Sequence, residues 1–466
     1  MDPAIAAYWT ELIMGLLERI ENKKAVSPQN TVPEAQTFSG KGGASYIDEY
    51  SDLKEKIHSD IIELINQDAY SRGKTEGVSE EYILQSIEGL VDDNGSAIPR
   101  NERIRLVRDI YNNVVGLGPL EPLLADPEIT EIMVNGPYSV YVERKGKLQL
   151  SSTVFKDNEH LLNVLSRIVS SVGRRVDEAS PMVDARLADG SRINAIIPPL
   201  ALNGPTITIR KFSKTPFTDT DLIRFGSVSP KMMSFLEACV KGRTNIIVSG
   251  GTGSGKTTLL NVLSGYIPDN ERIVTIEDAA EIQLRQGHVV TLESRPPNLE
   301  HAGQITIRDL VRNALRMRPD RIIVGEVRSG ETLDMLQAMN TGHDGSLTTA
   351  HANTPRDLIS RLETMVLMSG MEIPVKAIRE QVSSALNIIV QQARMRDGSR
   401  KITNITEVVG MEGDIVTLQD IFYYKSEGLD SSGRLKGAFL STGIRPGFTE
   451  KLAENGVPIK DEWFFN

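Results

Sequence analysis

Residues 245–263 read NIIVSGGTGSGKTTLLNVL, and this stretch decides the fold of the second half of the chain. Its middle matches the pattern G-x-x-x-x-G-K-[ST], between a short apolar run typical of a buried strand and a run that opens a helix. Glycines let the backbone wrap so that its N–H groups face phosphate oxygens, and the helix N-terminus adds a partial positive charge. The stretch therefore predicts a strand, a phosphate-binding loop and a helix over 256–263.

The residues of this loop are candidate nucleotide ligands. Lys256 is expected to place a point charge on the β- and γ-phosphates, and the Thr257 hydroxyl is the predicted Mg²⁺ ligand. The other candidates are Gly250, Gly251, Thr252, Gly253, Ser254, Gly255 and Thr258. A Gly-rich turn with an exposed lysine is the alternative, which the agreement of strand, loop and helix disfavours. The predicted cofactors are ATP and Mg²⁺.

Acidic residues follow two further apolar runs. Glu277, Asp278 and Glu281 come after the first run, and Glu326 comes after the second. The carboxyl ends of strands in an open α/β sheet form the edge that binds ligands. A carboxylate there can orient an attacking water or hold a water bound to Mg²⁺, although acids at strand ends also serve as helix caps. Beside a phosphate-binding loop, we interpret these four residues as candidate catalytic acids.

A threonine-rich run ends in a histidine. Residues 342–354 read GHDGSLTTAHANT and contain two of the six histidines, His343 and His351. Metal binding is a weak interpretation, because no cysteine lies nearby and Mg²⁺ prefers oxygen ligands. We interpret the run as a polar strand whose side chains reach phosphate or a neighbouring subunit. A purely structural role stays open, more for His343 than for His351.

Patterning divides the chain into five predicted regions. From about residue 230 onward, apolar β runs alternate with helical patterns, which predicts an α/β domain with a mainly parallel sheet. Before it, short β-branched runs surround one helical run, which predicts an α+β domain. The predicted regions are a helix and flexible linker (1–45), a helical region (46–115), the α+β domain (116–214), a linker (215–232) and the α/β domain (233–466).

Bulk composition disfavours several classes of protein. The net charge of −10 argues against a protein that coats nucleic acid. The single cysteine, Cys239, excludes an internal disulfide and a four-cysteine zinc site, and its apolar neighbours predict a small buried side chain. No apolar run is long enough to span a membrane. The stretch 4–20, AIAAYWTELIMGLLERI, predicts an amphipathic helix for docking, core or membrane-surface contact, and not a signal peptide.

The order of these motifs resembles that of the type II/type IV secretion ATPases. The segments GGTGSGKTT, TIEDAAEIQL, RMRPDRIIVGEVR and TGHDGSLTTAHANTP are similar to the Walker A, Asp-box, Walker B and His-box series of that family. Upstream, GLGPLEPLLADPEITEIMVNGP and DARLADGSRINAIIPPLALNGPTITIRKF resemble the TadA/CpaF branch, as does the tail TGIRPGFTEKL. The resemblance covers about residue 101 to the end.

The resemblance implies a fold and an assembly. It implies a RecA-like P-loop ATPase domain, preceded by a PAS-like α+β domain and assembled as a homohexameric ring with ATP between domains and subunits. The Asp-box acids and Glu326 would position water or metal, and His351 occupies the His-box position. Arg192 and Arg210 are similar to arginines that reach the nucleotide from the amino-terminal domain, where such a residue can raise the rate by ~10³–10⁵. The alternative for both arginines is a charge on a strand surface.

The resemblance also implies a function. We expect an ATPase motor that works at the cytoplasmic face of the inner membrane, contacts a platform protein there and powers assembly of a Tad/Flp-type type IV pilus, with retraction left open. A VirB-like ATPase that exports DNA or effector proteins is the alternative. A nucleic-acid translocase is disfavoured by the acidic balance and by the lack of an aromatic-basic stripe. A small-molecule kinase and an ABC subunit lack their own sequence signals.

Overall fold

The computed structural model describes residues 50–71, 79–94, 98–144, 146–212, 216–297, 302–429, 433 and 435–465. The chain divides into two units, Met1–Phe212 and Ser213–Asn466, each with its own apolar core. The helix and linker predicted for residues 1–45 lie outside the described residues. No helix of the described part has the length and apolar character needed to cross a bilayer.

Helices open the described part of the first unit. They are α1 (Ser51–Ser71), α2 (Glu80–Asn94) and α3 (Arg100–Val114). The side chains of Ile57 and Ile61 on α1 are fully buried against Ile87 of α2 and against Leu106 and Ile110 of α3. A spacing of four residues places the paired side chains of α1 and of α3 on one helix face. The helical region predicted upstream of the sheet domain is confirmed here.

An antiparallel sheet with one covering helix follows. Its strands are β1 (Ile129–Asn135), β2 (Val140–Arg144), β3 (Lys147–Leu150), β4 (Met182–Arg186), β5 (Arg192–Ile196) and β6 (Thr206–Arg210), and the helices are α4 (Glu121–Ala125) and α5 (Asn158–Ser170). In space the strands follow the order β3-β2-β1-β6-β5-β4. Leu161, Leu165 and Ile168 of α5 share a buried cluster with Ile132 and Ile209 of the sheet. This arrangement confirms the predicted α+β class.

A longer sheet forms the centre of the second unit. Its strands are β7 (Ile246–Gly250), β8 (Ile273–Glu277), β9 (Val289–Glu293), β10 (Arg321–Val324), β11 (Leu347–Ala350), β12 (Ile388–Arg394), β13 (Arg400–Glu412), β14 (Ile415–Leu429) and β15 (Leu435–Ser441). In space they follow the order β15-β14-β13-β12-β7-β11-β10-β8-β9. The strands from β12 to β9 are parallel, which confirms the predicted α/β class. β13, β14 and β15 add an antiparallel extension that the sequence patterns do not predict.

Helices cover both faces of this sheet. They are α6 (Asp219–Arg224), α7 (Pro230–Lys241), α8 (Lys256–Ser264), α9 (Ile307–Ala314), α10 (Glu331–Asn340), α11 (Pro355–Leu367), α12 (Val375–Ala385) and α13 (Thr449–Glu454). Ile246 and Val248 of β7 belong to one core cluster and Ile247 to the other. Because both faces of a parallel strand are buried, its sequence reads as a continuous apolar run.

The residues predicted as a linker, 215–232, contain helical structure. Helix α6 begins with a capping box in which the Thr218 hydroxyl accepts the N–H of Asp221 and the Asp221 carboxylate accepts the N–H of Thr218. Leu222 then packs into the core of the second unit. Reciprocal capping satisfies two N–H groups that a short helix otherwise leaves unpaired, so a helix of six residues is stable here.

A buried ion pair lies at the edge of the sheet where β10 begins. Arg321 is 0% exposed, and its Nη2 donates to Glu271 Oε1 at 3.3 Å while its Nε donates to Glu271 Oε2. Arg321 Nη1 also donates to the Gly345 carbonyl at 3.0 Å. A Cβ atom on Gly345, whose φ is +82°, would lie 1.7 Å from Arg321 Nη1. Only glycine therefore fits at position 345.

The single cysteine is part of the core. Cys239 lies in α7 and is 0% exposed, which confirms the predicted small buried side chain. Burial raises the pKa of the Cys239 thiol well above its usual range. A thiol that keeps its proton and has no access to solvent is chemically inert.

Candidate nucleotide-binding site

The phosphate-binding loop joins the end of β7 to the start of α8. Gly253 and Gly255 have φ values of +68° and +96°, which L side chains rarely adopt. A Cβ atom on Gly250 would lie 2.2 Å from the Gln392 carbonyl oxygen of the neighbouring strand β12. The glycines of the motif are therefore required by the backbone conformation and by a close approach of two strands. The helix over 256–263 predicted from the sequence is observed as Lys256–Ser264.

Lys256 connects this loop to the ends of two other strands. Its Nζ lies 3.3 Å from the Gly251 carbonyl oxygen and 3.2 Å from His351 Nε2. Glu326 Oε1 lies 2.8 Å from the same imidazole nitrogen. These residues follow β7, β11 and β10, which are neighbours in the sheet, so their carboxyl ends meet at one edge. The structure thus brings together three residues predicted from the sequence to belong to one site, namely Lys256, His351 and Glu326.

The protonation state of His351 follows from its surroundings. Burial lowers the pKa of His351, and the positive charge of Lys256 lowers it further, although the Glu326 carboxylate acts in the opposite direction. Since the pKa lies below its ordinary value of 6.5, the imidazole is neutral at neutral pH. In the neutral ring Nε2 either accepts from Lys256 or donates to Glu326, so the tautomer decides which of the two contacts is a hydrogen bond.

Arg328 joins two of the candidate acids. Its Nε donates to Glu326 Oε2 at 2.8 Å, and its Nη1 lies 3.5 Å from Asp278 Oδ2. The Ser294 hydroxyl donates to the other Asp278 oxygen at 3.0 Å. Arg328 was not among the residues predicted from the sequence. The sequence does contain a hint of this contact, since an arginine two residues after an acid at a strand end can form an ion pair with that acid.

Glu277 is the buried member of the acidic group. It is 3% exposed, and its Oε2 accepts the backbone N–H of Glu281 at 2.9 Å and of Ile282 at 3.1 Å. The contact of Glu281 with Glu277 is thus made by its backbone N–H. A Cβ atom on Gly325 would lie 2.9 Å from Glu277 Cγ, which explains a glycine before Glu326. Burial raises the pKa of Glu277 to about 7, against the opposing effect of the two N–H groups.

Glu277→Gln is expected to remove a pH dependence of stability. Below about pH 4.5 the Glu277 carboxyl is protonated in both the folded and the unfolded chain. As the pH rises from there to about 7, the carboxyl ionises in the unfolded chain but stays protonated in the folded chain. The folded chain therefore loses stability over this range. Because one pKa unit corresponds to about 1.4 kcal/mol, the loss is about 3 kcal/mol. Relative to wild type, the free energy of unfolding of Glu277→Gln should therefore be little changed at pH 5 and higher by about 3 kcal/mol at pH 8.

Urea unfolding of the nucleotide-free protein between pH 5 and pH 8 measures this difference. The matched control is Glu380→Gln, an exposed carboxylate on α12, which should follow wild type at every pH. Parallel pH profiles for Glu277→Gln and wild type would show that Glu277 ionises as easily in the folded chain as in the unfolded chain.

The residues at this edge fit a nucleotide with Mg²⁺. Ser254 is 1% exposed, and its hydroxyl makes no hydrogen bond within the described residues. No group of three or more His, Cys, Asp or Glu side chains in the described ranges could hold a metal ion by itself. Mg²⁺ in nucleotide sites takes most of its ligands from phosphate and water, so a single hydroxyl such as that of Thr257 is a suitable protein ligand.

The predicted arginines lie on the open face of the sheet in the first unit. Arg192 of β5 and Arg210 of β6 are direct cross-strand partners, and Arg210 Nε lies 3.8 Å from Glu131 Oε1. Arg186 of β4 pairs with Arg192 and extends the row by one strand. Its Nε donates to the Gly190 carbonyl at 3.2 Å. The sequence alone does not place Arg186 beside the other two, because strand register is not encoded in a local pattern.

Comparison with known proteins identifies relatives of this chain. A family model described as "Type II/IV secretion system protein" matches residues 113–432. A putative conjugal transfer protein of Mycobacterium tuberculosis is 37% identical over 315 residues, which cover 66% of this chain and 89% of that protein. The type IV secretion system protein VirB11 of Brucella abortus is 34% identical over 301 residues, 59% of this chain and 83% of that protein.

Solved structures of such proteins are also similar. The VirB11 ATPase of the Brucella suis type IV secretion system, in complex with sulphate, is 31% identical, and the alignment covers 62% of this chain and 94% of that chain with a TM-score of 0.34. The pilus retraction motor PilT with bound ADP is 20% identical, with coverage of 71% and 83% and a TM-score of 0.44.

Proposed function

We propose, on the premise that this chain belongs to the type II/IV secretion system protein family and is an ATPase, that it is the motor of a Tad/Flp-type pilus. It would form a homohexameric ring at the cytoplasmic face of the inner membrane and push on a platform protein there. The observation that supports ATP hydrolysis by this motor is the contact series Lys256–His351–Glu326, which joins a phosphate-binding loop to a strand-end carboxylate. The TadA/CpaF-like segments of the sequence support the pilus branch.

The side chains at the sheet edge have separate tasks in this proposal. The loop N–H groups and Lys256 bind the β- and γ-phosphates. Glu326 orients the attacking water, whose oxygen bonds to the γ-phosphorus as the bond to ADP breaks. His351 contacts both Lys256 and Glu326 and so connects the phosphate-binding lysine to the carboxylate. Thr257 would hold Mg²⁺, which would supply positive charge to the phosphates.

Arg192 and Arg210 make hydrolysis depend on the position of the first unit. We propose that they supply positive charge to the transferred phosphoryl group from outside the second unit. An arginine supplied in this way is worth ~10³–10⁵ in rate in related NTPases. Hydrolysis would then be fast in one arrangement of the units and slow in another. Such a dependence converts the chemical step into movement.

Arg210→Ala is expected to lower the rate of ATP hydrolysis by about 10³-fold and to remove its dependence on protein concentration. Wild-type specific activity should rise as the ring assembles. Steady-state phosphate release at increasing protein concentration, with light scattering in parallel, measures both quantities. Lys256→Ala marks the background rate, and Arg175→Ala, an exposed arginine of the same unit, is the matched control. A monomer whose rate ignores Arg210 would contradict the ring motor and favour a small-molecule kinase.

Export of DNA or effector proteins is the second candidate function. The likeness to a putative conjugal transfer protein and to VirB11 favours it. The ATPase chemistry would be the same, and the load would differ. The genes beside the coding sequence distinguish the two candidates, since pilin and prepilin-processing genes accompany a pilus motor and conjugation genes accompany an exporter.

A further inference from the structure

We propose that Arg394 and Arg400, on the hairpin formed by β12 and β13, are further nucleotide-binding residues that contact the phosphates of ADP and ATP. The inference deepens the proposed nucleotide site and rests on the placement of the nucleotide at the loop after β7. It adds two full positive charges beside Gly253 of the loop.

Strand β12 brings this hairpin to the loop. β12 runs parallel to β7, and Gln392 is the register partner of Gly250, the last residue of β7. Gln392 is 3% exposed, and its side-chain Nε2 lies 3.3 Å from where a Cβ of Gly255 would be. Its Oε1 has no hydrogen-bond partner within the described ranges. The end of β12 therefore forms a wall of the phosphate-binding loop, and the hairpin starts where that wall ends.

The two arginines lie on one face of the hairpin at the tip of the loop. Arg394 and Arg400 are direct cross-strand partners, so their side chains leave the hairpin on the same side. Arg400 Nε donates to the Gly253 carbonyl at 3.3 Å. Arg394 Nη1 lies 3.7 Å from where a Cβ of Gly253 would be. Two guanidinium groups thus stand beside the residue that carries the loop around the phosphates.

The hairpin is built to hold this position. Asp397, in the turn, accepts the Ser399 hydroxyl at 2.6 Å and the backbone N–H of Leu435 at 2.8 Å, which ties the turn to β15. The Ser399 hydroxyl, together with the Leu435 N–H, lowers the pKa of Asp397 to about 2, so the carboxylate is ionised at neutral pH. A fixed turn spares the arginines part of the ordering entropy of binding a ligand.

The chemistry of the guanidinium group indicates the ligand. It carries five N–H donors in a planar fork, of which the Arg400 Nε is used by Gly253, and its terminal nitrogens suit phosphate oxygens. Backbone N–H groups and a helix N-terminus contribute only partial charges to a phosphate site. A polyphosphate carries several negative charges, so two further cations at the loop tip increase affinity for ADP and ATP alike.

The test measures nucleotide affinity in the full chain. Binding of ADP with Mg²⁺, followed by calorimetry, should weaken about tenfold or more in Arg400→Ala and further in the double variant Arg394→Ala/Arg400→Ala, because a charge-assisted hydrogen bond has about this effect. The KM for ATP should rise by a similar factor while kcat changes little, since ground state and transition state lose the same contact. Arg400→Lys should recover part of the affinity.

Controls separate this inference from a structural role and from the nucleotide site itself. Arg396→Ala, an exposed arginine in the same turn, should keep wild-type affinity, and the melting temperature without nucleotide should not change in any variant. Equal losses in Arg396→Ala and in the double variant would overturn the inference. If Lys256→Ala lost affinity for ADP and Arg394→Ala/Arg400→Ala kept it, the role of the two arginines would be wrong and the nucleotide site would stand. If Lys256→Ala and the double variant both kept wild-type affinity, the nucleotide site itself would also be wrong.

Discussion

Glu326→Gln is expected to lower the rate of ATP hydrolysis by ~10²–10⁴-fold, the range for removal of a positioned acid–base group. ATP and ADP affinities should stay within a few-fold of wild type. The carboxylate lies 2.8 Å from His351 at the end of β10, and the amide that replaces it has the same shape but cannot carry the negative charge. Single-turnover hydrolysis and calorimetric ADP binding measure the two quantities separately.

The matched control for this change is Glu331→Gln. Glu331 starts α10, and its Oε1 accepts the backbone N–H groups of Arg328 and Ser329 at 2.6 and 2.8 Å. A Gln oxygen can accept the same bonds, so we expect a rate within about threefold of wild type. Equal rates of hydrolysis for Glu326→Gln and wild type would show that another acid orients the water. Asp278 would be the first candidate, because Arg328 contacts both Asp278 and Glu326.

Glu271→Ala is expected to destabilise the second unit by about 3–5 kcal/mol. Arg321 is 0% exposed, so removal of Glu271 leaves a buried charge without the carboxylate to which it hydrogen-bonds. Burial lowers the pKa of Arg321, but an arginine side chain does not lose its proton at neutral pH. Urea unfolding at pH 7.5 measures the free energy of unfolding.

Two further variants make this result specific. Asp269→Ala changes an exposed acid two residues earlier and should cost under about 0.5 kcal/mol. The double variant Glu271→Leu/Arg321→Met removes both charges and should be more stable than Glu271→Ala, because apolar side chains can replace a buried pair. A loss below about 1 kcal/mol for Glu271→Ala would mean that water or Asp320 compensates Arg321.

The sequence predicts those parts of the site that depend on short patterns. A few neighbouring residues determine the positions of the loop before Lys256 and of the acids after two apolar runs. In the structure, His351 contacts both Lys256 and Glu326. The α/β class follows from the same patterns, because strands buried on both faces are apolar throughout.

The remaining features depend on residues far apart in the chain. Arg400 is 147 residues from Gly253, and Arg321 is 50 residues from Glu271. Strand order and register bring such pairs together, and no local pattern carries that information. The antiparallel extension beyond β12 is unpredicted for the same reason: its strands alternate weakly, and their pairing is set by the hairpin turns.

Cys239 gives this chain a practical advantage for single-molecule work. The native thiol is fully buried and keeps its proton, so maleimide dyes have no target on the folded wild-type protein. A cysteine introduced at an exposed position of each unit, such as Arg175 and Arg396, would therefore react alone. Fluorescence energy transfer between two such dyes can follow the distance between the units through a cycle of ATP turnover, without any prior removal of native cysteines.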